Sequence, residues 1–260
     1  MDSAFVLSGF LVGLLVGVTG VGGGSLLTPL LILVFNVAPV AAVGTDLMFA
    51  ALTKTGGAIV HGRNQRVDWR LVGQMALGSV PAALLTLVAL RYLVASETDM
   101  GHVILPILGG MLIVTAIALL AKNAILKHRD SSLTIQKLRA TLPASPFATA
   151  LGALLGFLVT LTSIGAGAFG VVALLILKPH MPIQRIVGTD IAHAIPLTLV
   201  GGIGFAMLGQ VDWGLLINLL LGSLPGIWIG SHCSNRMPEK WLRTFLAIML
   251  MIIGSKIVVA

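Results

Sequence analysis

The chain has 260 residues, 57% of them hydrophobic and 10% charged, with a mean hydropathy of +1.04. Soluble domains carry about 25% charged residues, so this composition excludes an ordinary soluble domain and reads as a polytopic helical membrane protein. The net charge of +7 does not indicate nucleic acid, because the basic residues lie between apolar spans and not along one solvated face.

The N-terminus, MDSAFVLSGF, has Asp2 where a secretory signal carries positive charge, and reads as the start of a first span, 4–20, rather than a cleaved leader. That span runs into GVTGVGGGSLLTPLL, 17–31. Each glycine inside a helix costs about 1 kcal/mol relative to Ala, so Gly22, Gly23 and Gly24 break the helix. The next segment, 25–36, is too short to cross a ~30 Å hydrocarbon core alone. Segment 40–61 follows and contains Thr45, Asp46 and Lys54. Asp68 and Trp69 then read as an N-cap and an interfacial anchor for segment 71–92, inside which Pro81 frees a carbonyl and kinks the helix. Segment 103–121 leads to a polar, basic stretch, 122–146. The series then resumes with 147–163, a second glycine-bearing break, SIGAGAFG, and a second short segment, 167–178. Segment 186–208 contains Thr189, Asp190 and His193. Asp212 and Trp213 precede 214–232, which holds Pro225, and 241–258 is last. The single cysteine, Cys233, excludes an internal disulfide framework.

The second series repeats the first. GTD at 44–46 returns at 188–190, VDW at 67–69 returns at 211–213, and LGSVP at 77–81 returns as LGSLP at 221–225, all at one offset of 144 residues. Over 44–81 against 188–225, 14 of 38 positions are identical. Asp, Thr, Trp and Pro in register exceed what apolar composition alone produces. GVGGGS at 20–25 lines up with SIGAGA at 163–168, one residue off that register. The chain therefore divides into a first transmembrane repeat, 1–121, a basic cytoplasmic linker, 122–146, and a second repeat, 147–260. With the linker inside, 13 of the 16 Lys and Arg fall on the cytoplasmic side, as the positive-inside rule requires. Loop 62–70 is then inside and its partner, 206–214, outside. The expected fold is all-α, with two inverted-topology repeats. Each consists of a glycine-broken short-helix hairpin and three long transmembrane helices, and both termini lie outside. Inverted repeats with interrupted segments at matching positions mark secondary transporters. Non-helical backbone at that depth is tolerated where it is buried in protein or lines a polar cavity, and helix N-termini exposed there are anion sites.

GVGGGS, AVGTD at 42–46, HGRNQRVDW at 61–69 and their recurrence in the second half resemble the sulfite exporter TauE/SafE family, also called the toluene sulfonate uptake permease family. The resemblance covers nearly the whole chain. It implies an inner-membrane carrier of small anions, often sulfur oxyanions or organosulfonates. This sequence has Gly-Thr-Asp in both halves where many members have Gly-Thr-Ser.

The expected substrate site lies between the two breaks, at Gly22, Gly23, Gly24, Ser25, Ser163, Gly165 and Gly167, with hydroxyls from Thr45 and Thr189. Lys54 either snorkels to the cytoplasmic face or supplies counter-charge. Asp46 and Asp190 are intramembrane acids and so functional candidates by default, although a buried acid capping a broken helix is the plainer alternative. Two ionised carboxylates would oppose an anion, so at least one is expected to be protonated or paired. His193 stands one turn from Asp190, at a spacing that suits proton handling, or is a satisfied interior histidine. The expected partners are a small anion and the bilayer, with a homo-oligomer left open. The residues suggest no cofactor, metal cluster, phosphate loop or nucleophile–base pair. The reading is thus a secondary anion carrier, with a passive anion channel or, further off, a membrane enzyme as alternatives.

Overall fold

The computed structural model describes residues 3–19, 24–63, 65–95, 101–127, 144–165, 167–178, 180–233 and 239–259. Among them are ten α-helices and no strand: α1 (Ser3–Thr19), α2 (Gly24–Leu33), α3 (Pro39–Arg63), α4 (Trp69–Ala95), α5 (Gly101–Lys127), α6 (Ala144–Thr162), α7 (Ala168–Leu177), α8 (Ile183–Met207), α9 (Trp213–Cys233) and α10 (Glu239–Val259). Each predicted segment corresponds to one helix, and every boundary but one falls within three residues of the predicted position. The exception is the end of α5, where AKNAILK is rich in helix formers and the helix continues to Lys127. Residues 128–143 of the basic linker lie outside the described residues, as do Gly22 and Gly23 and the side chain of Ser25.

Four helices hold stretches long and apolar enough to cross a membrane: Trp69–Tyr92, Ile104–Ala121, Ile183–Met207 and Trp213–Gly230. Their outer faces carry large apolar side chains in the open. Leu77 is 73% exposed, Leu85 71% and Trp228 66%. An aqueous surface rarely leaves so much apolar area bare, and a lipid-facing one does so by design.

Between helices, glycine sets the distances. α1 lies along α9, and α4 along α6. A Cβ added at Gly9 or Gly13 would meet the backbone of Leu219 or Ser223, and Gly222 and Gly226 face the backbone of Val6, Phe10 and Leu14 in return. In the second pair Gly152 and Gly156 face the backbone of Met75 and Ser79, while Gly78 faces Thr149 and Ala153. Lipid tails supply no hydrophobic drive for helices to associate, so close backbone approach between small residues four apart gives the attraction. At the centre α3 lies along α8, and α5 along α10, where Gly109 and Gly254 meet.

The helix ends are explicit. α8 closes in a Schellman motif: Gly209 has φ 71°, its N–H donates to Ala206 O at 3.0 Å, and Gln210 N–H donates to Phe205 O at 2.9 Å. Asp212 then caps α9, accepting from Leu215 N–H at 2.9 Å, and Asp68 caps α4, accepting from Leu71 N–H at 3.1 Å. Trp69 and Trp213 beside them are exposed, as interfacial anchors are. α4 and α9 run through Pro81 and Pro225. Between α6 and α7 the chain turns through Ser163 (φ 58°), Gly165 (φ 121°) and Gly167 (φ 128°). The two glycine conformations are ones that L side chains rarely adopt, which is why this break falls where it does.

Candidate functional site

α7 starts inside the bundle. Gly165 is buried, its carbonyl accepts from Gly170 N–H at 3.0 Å, and Gly167 O accepts from Val171 N–H at 2.9 Å. No side chain of the N-cap, Gly167, closes the first turn. Asp190 reaches it from α8. Its carboxylate faces the Gly167 backbone N–H and lies so close to Gly170 that a Cβ there would collide with Oδ1. A helix N-terminus carries about half a positive elementary charge, and a protein carboxylate sits against this one. Asp190 is buried, and its Oδ1 has no hydrogen-bond partner among the described residues.

The first half is similar but not identical. Asp46, on α3, accepts a hydrogen bond at Oδ2 from the hydroxyl of Thr28, on α2. Ser163 stands beside the same carboxylate. Neither Asp46 Oδ1 nor Ser163 Oγ has a partner among the described residues. In the register of the breaks Thr28 corresponds to Val171, so the second half lacks the hydroxyl that holds Asp46.

The two acids are not a contacting pair. α3 and α8 are antiparallel, with Gly44 opposite Phe205, Leu47 opposite Gly201 and Met48 opposite Gly202. Asp46 is therefore level with the region of residue 203 on α8 rather than with Asp190, although both carboxylates reach the stretch between α6 and the first turn of α7, Asp46 at Ser163 and Asp190 at Gly167 and Gly170. Lys54 lies between those levels, half-buried, within electrostatic reach of Asp190, Asp46 and His193. It is eight residues, about 12 Å, from Asp46 on the same helix. His193 is fully buried, and its Nε2 shares a 2.9 Å hydrogen bond with Ser79 Oγ, on α4. Its Nδ1 has no partner among the described residues. The register counterpart of His193 is Phe49, and that of Lys54 is Thr198, whose hydroxyl donates to Ala194 O on its own helix.

Thr45 and Thr189 serve the opposite half. Thr45 Oγ1 accepts from the backbone N–H of Asp212 at 3.0 Å, and Thr189 Oγ1 accepts from that of Asp68, also at 3.0 Å. Thr189 donates its own proton to Arg185 O at 2.6 Å. The threonine of each GTD thus holds the start of the VDW turn in the other half. Asn218, a register partner of Gln74, bonds Gly214 O on its own helix.

The structure therefore sets Asp190 against the start of α7 at Gly167 and Gly170, with Lys54 within electrostatic reach and His193 one turn along α8, and gathers Asp46, Ser163 and Thr28 around a second point. Thr28 and Ser79 escaped the sequence reading. Thr28 follows the break by one helical turn and is a hydroxyl in an otherwise apolar segment, a signal that was available. Ser79 had none, because its partner is 114 residues away. Among the described residues no group of three or more His, Cys, Asp or Glu could hold a metal ion.

The family model for the sulfite exporter TauE/SafE matches residues 5–257. The chain belongs to the TauE/SafE family. Among its relatives, the "Probable membrane transporter protein YjnA" of Bacillus subtilis (strain 168) is 38% identical over 262 residues, covering 99% of this chain and 100% of that protein. The "Probable membrane transporter protein YdhB" of the same organism is 32% identical over 253 residues, covering 96% and 97%. The "Probable membrane transporter protein MJ0441" of Methanocaldococcus jannaschii is 25% identical over 268 residues, covering 96% and 92%. No solved structure matches the chain. Family and helices agree on a multi-pass membrane transporter of the TauE/SafE type, and the relatives are named as transporters rather than enzymes.

Proposed function

We propose that this TauE/SafE protein is a secondary carrier of a small anion, a sulfur oxyanion or organosulfonate, working by alternating access in the cell's inner membrane. The observation that carries the reading is the buried start of α7, which is built on two glycines of positive φ and set beside Lys54 and Asp190. A half-helix N-terminus inside an apolar bundle offers N–H donors and a positive dipole end to an anion. The sulfite in the family's name supports sulfur oxyanions as the first candidates. In this reading the anion lies between the 22–25 and 163–168 breaks, Ser163 adds a hydroxyl, and Asp46, Asp190 and His193 are the coupling candidates.

The reading extends to two inverted repeats, 1–121 and 147–260, with a cytoplasmic linker and both termini outside. Its support is that helix contacts recur when the halves are exchanged. α1–α9 matches α6–α4, α2–α10 matches α7–α5, and α3–α9 matches α8–α4. The bonds from Asp212 to Thr45 and from Asp68 to Thr189 match in the same way.

The test is uptake of labelled sulfite, sulfate, thiosulfate and small sulfonates into proteoliposomes, with and without a proton gradient. A carrier accumulates at least one of them in a gradient-dependent, saturable manner. Conductance with no dependence on any coupling ion would replace the carrier with a channel, and the absence of flux for all four would remove the substrate class.

A further inference from the structure

The short helix α7 raises a problem for an anion carrier: the place where an anion would bind is already taken by Asp190. Its carboxylate faces the Gly167 N–H and rests against Gly170 in the first turn. Yet only one of its two oxygens has a donor there. Oδ1 has no hydrogen-bond partner among the described residues although the residue is buried. Asp46 likewise has one unpartnered oxygen, but its other oxygen is tied by a side-chain hydroxyl, that of Thr28, and the corresponding position in the second half is Val171.

We propose that the Asp190 carboxylate is an internal stand-in for the transported anion, displaced from the first turn of α7 when substrate binds and then neutralised by one proton from the solvent, while Asp46 stays in place. This rests on the anion-carrier reading and gives it a coupling mechanism. The N-terminus of α7 accepts one anionic group at a time, because the first turn offers few N–H groups and the carboxylate already fills the space over Gly170. A displaced carboxylate in this apolar bundle loses its donors, and burying it charged without them is expensive. Protonation removes that cost. Anion and proton therefore enter together.

Other charges facing Asp190 do not substitute for the proton. Of the helices on α8, α3 brings Lys54 and Asp46; α4 brings Arg70 near its start and Arg91 and Tyr92 near its end; α6 and α7 contain no titratable side chain. Within α8, His193 is one turn away, and Arg185 lies exposed in its first turn. Lys54 is within reach of both carboxylates, so one cation is shared between two acids. The asymmetry is specific to this half, since Thr28, Lys54 and His193 all lack an equivalent in the other.

The experiment measures binding of sulfate, thiosulfate and methanesulfonate to the purified full chain in detergent. Protons taken up per anion bound are read by calorimetry in buffers of different ionisation enthalpy. None of these anions titrates near neutral pH, so any proton belongs to the protein. Wild type should take up close to one proton per anion, with Kd weakening about tenfold per pH unit in the alkaline range. Asp190→Asn should bind without proton uptake and with a flat pH profile, and Asp46→Asn should keep the uptake. If Asp190→Asn does not give monodisperse protein, Gly170→Ala pushes the carboxylate off the turn and should lower the uptake. Binding by wild type without proton uptake, or uptake retained in Asp190→Asn or unchanged in Gly170→Ala, overturns the stand-in and leaves the carrier reading standing. Binding of none of the three anions to wild type removes the carrier reading and the stand-in with it.

Discussion

The threonines of the two GTD motifs join residues far apart in sequence. Thr45 reaches a backbone N–H 167 positions away and Thr189 one 121 positions away. Each accepts a hydrogen bond from an aspartate that is itself the N-cap of the next helix, so one hydroxyl fixes both the start of α9 or α4 and the packing of one half on the other. Thr→Val keeps the shape and removes the acceptor, leaving an N–H without its partner at a cost of about 1–3 kcal/mol. Thr45→Val and Thr189→Val should therefore lower thermal stability in detergent by similar amounts and leave anion affinity near that of wild type. A large loss of affinity at unchanged stability would return these hydroxyls to the substrate. The recurrence of GTD with VDW at one offset was plain in the sequence, and so were the caps at Asp68 and Asp212, because a cap is local. What each threonine touches was not legible, since a polar residue in an apolar span looks the same whether it awaits a ligand or a distant backbone. The same holds for Asp46 and Asp190: their type and repeat marked them out, but their separation along α3 and α8 depends on how the two helices register.

Helix positions were almost wholly legible, for a physical reason. A hydrocarbon core demands long apolar runs, glycine clusters interrupt them, and the two short helices α2 and α7 each follow such a cluster. The glycines of α1, α6 and α9 carry a different message. Judged by helix propensity they only weaken the helix. Judged by spacing, Gly9 and Gly13, Gly152 and Gly156, and Gly222 and Gly226 are small residues four apart, the pattern of close helix pairs. That signal went unread because propensity and spacing pull in opposite directions, and in a bilayer spacing prevails. Gly222→Leu should drive α9 away from the backbone of Val6 and Phe10 on α1. Overpacking costs about 1–3 kcal/mol and more where backbone must move, so the variant should lose monodispersity on size-exclusion and melt well below wild type. Gly73→Leu is the control, because a Cβ at Gly73 meets nothing within 4 Å. Equal tolerance of both would mean that the α1–α9 contact contributes little to the fold.

For the whole molecule the two pairs α1–α9 and α4–α6 have one geometric meaning. Each joins a helix of the first half to one of the second, so the two halves interlock through their first helices. Exchange of the halves leaves this pattern of contacts in place, as expected if the second half is the first turned over in the membrane. The charges give the direction. Loop 62–70 carries Arg63, Arg66 and Arg70, and its counterpart, 206–214, carries no Lys or Arg. Cytoplasmic loops are enriched in Lys and Arg, so position 66 should be inside and position 210 outside. Arg66 is exposed and Gln210 part-exposed, so both can be tested by Arg66→Cys and Gln210→Cys in a Cys233→Ser background. An impermeant maleimide added to intact cells should label position 210 and spare position 66, and in inside-out vesicles the pattern should reverse. Labelling of both positions from the same side would put the two loops on one face. The halves would then be parallel rather than inverted, and the interlocked contacts would need a different symmetry to explain them.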